Sequence, residues 1–302
     1  MADSKTNQSD YSLKDTVAKR YFGQKEVFAD LCNAFLFHQQ GRLEPSRLTP
    51  MSTEYNELMI GAGGEYGSRK RERDLAFQAF SDGDRGYALI CAEFQSTTDS
   101  TMPVRVMEYD SLGYAYQLKN RICCVAGKVY QISTIVVNIG RNKWRGPTSL
   151  YDMFSEVDAF VRANVPDYPI KVFDPHTEDT KILDALYTDL KTVSYLFRFS
   201  ERGDFLAKMF EHDRTSYLGH YGVDLVNVCL DMQLRKPEQG RRYEMCKAVE
   251  DLKAMGRVEG IEKVAANALR MKIKPSDVQV MTGLSKSRVL QIAEEINLDG
   301  KR

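Results

Sequence analysis

Arg71-Glu72-Arg73-Asp74 opens an apolar run, Leu75-Ala76-Phe77-Gln78-Ala79-Phe80, and a second run follows it, Tyr87-Ala88-Leu89-Ile90-Cys91-Ala92-Glu93-Phe94-Gln95-Ser96. Between them lies Ser81-Asp82-Gly83-Asp84-Arg85-Gly86, rich in residues that tolerate positive φ. Two strands joined by such a turn form an antiparallel hairpin. Residues of a strand alternate between its faces, so Glu93 and Gln95 project together and Phe94 points the other way. A carboxylate on an otherwise apolar strand is expensive to bury unless it is paired, hydrogen-bonded or bound to a metal. Asp74 begins the first strand and Glu93 nears the end of the second, so the hairpin brings both acids to one end. There they can converge on a hard cation. Two salt bridges would also account for them, Asp74 with Arg73 or Arg71 and Glu93 with Arg105.

Outward from the hairpin, Thr97 to Thr101 is polar and suits the cap of a helix that begins Met102-Pro103-Val104-Arg105. Proline costs little in a first turn. Val104, Met107, Ser111, Ala115 and Leu118 fall on one face of that helix; Arg105 and Tyr109, four apart, can touch on another. Arg105 would hold a phosphate, orient Glu93 or serve as an ion-pair partner, and the ion pair is the preferred reading. Upstream, Arg69, Lys70, Arg71 and Arg73 lead into Asp74, as a phosphate-holding edge or as a solvated turn. Gly61, Gly63, Gly64 and Gly67 make no phosphate loop, because no Gly-Lys-Ser/Thr follows.

The order Asp74, then Glu93-X-Gln95 with Ser96, then Met102-Pro103-X-Arg105 with Tyr109 resembles the Rpn family of recombination-promoting nucleases, within the PD-(D/E)XK nuclease superfamily. Arg73, Lys14 to Tyr21, Asn33 to Leu36, and Trp144-X-Gly146-Pro147-X-Ser149-Leu150 extend the likeness. The resemblance implies an α/β fold: a restriction-endonuclease-like core, a mixed sheet flanked by helices, with a helical C-terminal extension. It implies a metal-dependent DNA endonuclease in which Asp74 and Glu93, with the Phe94 carbonyl, hold Mg²⁺ or another divalent cation such as Mn²⁺ or Ca²⁺. Gln95 stands where the superfamily has a lysine. It can position water or phosphate by hydrogen bonds but brings no charge. DNA contacts are expected from Arg71, Arg73, Ser96 and Arg105. In the superfamily the first helix can also supply an acid, for which Glu26 is the candidate. Two other classes compete: a noncatalytic DNA-binding or regulatory protein on a degenerate nuclease fold, and a transposase-type strand-transfer enzyme.

The 302 residues are 43% hydrophobic and 28% charged, with 42 Lys plus Arg against 42 Asp plus Glu. That neutrality argues against a protein coated with nucleic acid over its whole surface, but it permits a local basic rim. The six cysteines include no Cys-X-X-Cys pair and read as reduced thiols of a cytoplasmic protein. His176, His212 and His220 show no ligand spacing. The polar start is no secretion signal, and no apolar run is long enough to span a membrane. The expected organisation is a disordered stretch over 1–11, the nuclease-like core over 12–175, a helical layer over 176–236 and a helical tail over 237–302. Lys14, Lys19, Arg20 and Lys25 read as a solvated helix face in preference to a phosphate contact. Trp144, in a basic loop with Arg141, Lys143 and Arg145, reads as packing on the core in preference to stacking a base. Helix, glycine turn and helix over 274–297 follow helix-turn-helix grammar, with Lys286 and Arg288 opening the second helix as DNA contacts. Homo-oligomerisation through these helices, or plain packing, is the competing reading.

Overall fold

The computed structural model describes residues 3–38, 41–60, 66–80, 86–120, 124–125, 128–211 and 213–299. Two helices open the chain, α1 (Asp3–Phe22) and α2 (Lys25–Leu31), broken at Gly23 as its position suggests. A Cβ at Gly23 would stand 2.5 Å from the Lys19 carbonyl oxygen, so only glycine lets the chain turn there. Helix α1 reaches back through residues 3–11, which composition alone assigns to disorder. Once the apolar positions of its C-terminal half are packed, adding polar residues at the other end requires no new nucleation.

The strands are β1 (Leu48–Pro50), β2 (Glu54–Ile60), β3 (Tyr66–Glu72), β4 (Leu75–Phe80) and β5 (Gly86–Gln95). Helix α3 (Met102–Asn120) follows, then the two-residue strands β6 (Cys124–Val125) and β7 (Lys128–Val129), then β8 (Gln131–Asn138). Helix α4 (Ala159–Asn164) precedes β9 (Lys171–Phe173). Five of these strands form one mixed sheet in the order β1-β4-β5-β8-β9. The hairpin is antiparallel with Leu75 opposite Ala92, while β5–β8 and β8–β9 are parallel, with Gln95 opposite Asn138. Parallel strands need a crossover, and α3 supplies it for β5 and β8. Both strands therefore end at one edge of the sheet, where ligand sites of α/β proteins gather.

Two features differ from expectation. Residues 66–72 pair with β2 in a separate ribbon, so Arg69, Lys70 and Arg71 belong to a strand and not to a turn before Asp74. Helix α3 buries Met102, Val106, Tyr109, Asp110, Gly113 and Gln117, whereas Val104 and Leu118 are exposed. The buried stripe is hidden in the sequence because Asp110 and Gln117 are polar, and each finds a partner inside.

The chain divides into two compact units, 1–206 with 216–243, and 207–215 with 244–302. Helices α5 (Thr180–Ala185), α6 (Leu190–Arg198) and α8 (His220–Leu230) lie in the first; α7 (Gly203–Phe210) runs across the boundary. Two short strands, β10 (Tyr217–Leu218) and β11 (Tyr243–Glu244), pair with each other. The second unit contains α9 (Met245–Arg270), α10 (Pro275–Thr282) and α11 (Lys286–Asp299). Their core is Ala265, Ala268, Val278, Val289 and Ile292, with Leu269, Ile273, Leu284 and Ile296 packed against it. The two tail helices thus gain a third from the end of α9. Gly283, at φ 70°, makes the turn between α10 and α11. Among the described residues no helix is long and apolar enough to cross a membrane.

Candidate active site

The antiparallel register places Asp74, one residue before β4, across from Glu93, and the Asp74 Oδ2 accepts the Phe94 N–H at 2.7 Å. Gln95 shares the Glu93 face of β5. Phe94 turns to the opposite face, where its ring stacks on Phe22 of α1 at 5.0 Å. The Gln95 carbonyl accepts the Ile139 N–H on the β8 side. Backbone groups of successive strand residues alternate sides, so the Phe94 carbonyl faces away from β8, toward the Asp74 side.

Glu93 is only 1% exposed, and its Oε1 has no hydrogen-bond partner among the described residues. Its Oε2 lies 3.7 Å from the Arg105 guanidinium, too long for a hydrogen bond. Arg105 instead donates to Asp99 at 2.6 Å. Burial, and then the negative charge of Asp74, push the Glu93 carboxyl up to about 8. Asp74 is also raised, by burial, against the opposing pull of the Phe94 N–H and of a lysine from α1.

That lysine is Lys19. Its Nζ lies 3.0 Å from Asp74 Oδ1 and 2.9 Å from Asp15 Oδ2. The first helix therefore brings Asp15 and Lys19 to the hairpin. Glu26 is exposed on α2, and the group it perturbs is Tyr187. Neither Lys19 nor Asp15 is singled out by sequence reasoning. The signal available was the i, i+4 spacing of Asp15 and Lys19 directly before the buried pair Tyr21–Phe22.

The salt-bridge account of the two acids is met in part: Glu93 forms a long ion pair with Arg105, as expected, whereas Asp74 pairs with Lys19 and Arg73 turns to Asp110. Arg73 is wholly buried. It donates to Asp110 and to Thr134, each at 2.7 Å, and Tyr168 closes the cluster through Asp110 at 2.7 Å. A guanidinium sealed in this way cannot touch a DNA backbone, so Arg73 is a core residue. The Arg71 side chain lies outside the described residues. Ser96, at the rim, runs close under the next loop, where a Cβ at Gly140 would meet its carbonyl at 2.5 Å. That loop carries Lys143 and Arg145, both exposed, and Trp144 packs against Met102, Val106, Val136 and Ile170 as expected. In the tail, Lys286 is exposed, but Arg288 is gripped by both oxygens of Glu262, at 2.6 and 2.8 Å. Arg288 is a helix-to-helix clamp and not an open base reader.

A divalent ion suits the hairpin end. Asp74 and Glu93 stand across from each other in the register, Glu93 carries a buried oxygen without a partner among the described residues, and the Phe94 carbonyl lies on the Asp74 side. Among the described residues there is no group of three His, Cys, Asp or Glu side chains placed to hold a metal.

A family model for YhgA-like putative transposases matches residues 64–205, a span that contains Asp74, Glu93, Gln95 and Arg105. No curated protein and no solved structure matches the chain.

Proposed function

We propose, from the match of residues 64–205 to the YhgA-like family model, that the chain is a divalent-metal-dependent enzyme that hydrolyses DNA phosphodiester bonds on a PD-(D/E)XK-type core. The observation that carries this reading is the Glu93 Oε1, buried and without a hydrogen-bond partner among the described residues, on the strand position across from Asp74. Leaving such an atom unsatisfied costs about 1–3 kcal/mol or more, a cost that a bound cation removes.

Glu93 and Asp74 would hold Mg²⁺, or Mn²⁺ or Ca²⁺, with the Phe94 carbonyl as a third ligand. Such an ion polarises a phosphoryl oxygen and makes a bound water more acidic. Gln95, on the Glu93 face, donates and accepts hydrogen bonds and so orients water or a phosphate oxygen without moving a proton. Arg105 is one-third exposed in its side chain and anchored by Asp99, so its charge is held at the mouth of the site. Ser96, Lys143 and Arg145 line the same edge of the sheet and are suited to the flanking phosphates. Lys286, exposed at the start of α11, is the tail cation proposed for a further DNA contact.

The family description itself favours a second reading, strand transfer, in which a DNA 3′-hydroxyl replaces water as the nucleophile at the same two-acid site. The test is incubation of the purified full chain with plasmid and linear DNA in Mg²⁺, Mn²⁺, Ca²⁺ or EDTA, beside Asp74→Ala and Glu93→Ala. New free ends that need metal and vanish in both variants support hydrolysis. Joined strands support transfer. DNA retained without any product would move the assignment to a noncatalytic binding protein.

A further inference from the structure

We infer that Lys19 is a catalytic residue of this site, an ammonium delivered from α1 that contacts the scissile phosphate and supplies the positive charge that Gln95 lacks. The inference rests on the hydrolase reading above and adds a residue that lies outside the span matching the family.

The placement is built in. Around Lys19, the residues Val17, Ala18, Tyr21 and Phe22 are all buried. Tyr21 donates to Asp189 at 2.9 Å, and Phe22 stacks on Phe94, the residue between Glu93 and Gln95. The helix stops immediately beyond, where the Gly23 N–H donates to the Lys19 carbonyl at 2.9 Å. The backbone of Lys19 is thus fixed with respect to β5 by ring stacking on one side and by a helix end on the other.

Its side chain then reaches Asp74 from the α1 side of the sheet, while Glu93 approaches from the α3 side. An ammonium has three N–H donors, and Asp15 and Asp74 take two of them. The side chain remains 31% exposed, so the third donor has access to a bound molecule. Asp15 also holds the ammonium, so Lys19 would keep a partner at the site if Asp74 held a metal. With a carboxylate on either side, Lys19 acts as a fixed cation and donor and not as a base. Phosphodiester hydrolysis gathers negative charge on the phosphoryl oxygens in the transition state, and a preoriented cation is worth more there than in the ground state.

The test uses the full chain with Lys19→Met, Lys19→Arg and Asp15→Asn, cleaving duplex DNA with Mn²⁺, with Mn²⁺ affinity measured separately by calorimetry. Losing one such donor lowers kcat by roughly 100-fold or more. Lys19→Met should show that loss with the KM for DNA little changed. Its Mn²⁺ affinity should be equal or higher, because a cation has been removed from beside a ligand. Lys19→Arg should recover at least part of the rate. Cleavage by Lys19→Met at close to the wild-type rate would overturn the role of Lys19 and leave the hydrolase standing. If Lys19→Met does not fold, Lys19→Arg decides: a folded protein with intact Mn²⁺ affinity and no more activity than Asp74→Ala would place the role in geometry alone and overturn the charge argument. Wild type that fails to cleave with any metal would remove the hydrolase reading, and Lys19 with it.

Discussion

Replacing Glu93 by glutamine removes a carboxyl that the folded protein prefers to keep protonated. The folded value is about 8 against an ordinary 4.5, because burial and Asp74 both oppose the charge. Between those values the folded state holds a proton that the unfolded state has released, so stability falls as pH rises through the interval. The contribution is fully present below about 4.5 and gone above about 8. At about 1.4 kcal/mol per unit, the difference between 8 and 4.5 sets a ceiling of about 5 kcal/mol. Glu93→Gln cannot ionise, so it should match wild type below about pH 4.5 and exceed it increasingly up to about pH 8, above which the difference levels off. Urea unfolding in EDTA measures this, followed by the fluorescence of the single tryptophan, Trp144, which packs in the same unit as the site. Added Mn²⁺ should then stabilise wild type at pH 9 more than it stabilises the variant. A difference that stays constant with pH, or a variant that weakens as pH rises, would refute the reasoning. It would mean that Glu93 is ionised and held by Arg105.

Arg73→Met leaves Asp110 buried without its charge partner, so it should cost about 3–5 kcal/mol in urea unfolding. In protein that remains folded it should not weaken DNA binding. Lys143→Ser with Arg145→Ser should weaken DNA binding and lower the slope of log affinity against log salt by roughly 2, one for each phosphate that is no longer neutralised. Val289→Asp places a carboxylate in the core of the three tail helices, so helix content by circular dichroism should fall while the Trp144 unfolding transition stays in place.

The hairpin and its two acids were legible because the information is local. A polar turn, period-two alternation and a short spacing fix the strands, and antiparallel pairing then sets Asp74 opposite Glu93. What was hidden depends on distant partners. Arg73 looks like one of a run of exposed cations until Asp110, on α3, is seen to receive it. Lys19 looks like one cation of a solvated helix until the fold carries it to Asp74, 55 residues on. The buried face of α3 was missed because Asp110 and Gln117 are satisfied inside, Asp110 by Arg73 and Gln117 by the Tyr130 backbone. In the tail, the glycine turn announced two helices, but only the end of α9 explains why they pack and why Arg288 is unavailable.

A metal held between Asp74 and Glu93 is tested most directly by the position of Mn²⁺ in crystals of the wild-type chain, located by anomalous scattering. One strong site is expected, bounded by Asp74, the Glu93 Oε1 and the Phe94 carbonyl, and absent from Glu93→Gln crystals grown alongside. Manganese bound elsewhere, with Lys19 still on Asp74 and Glu93 still without a partner, would contradict it.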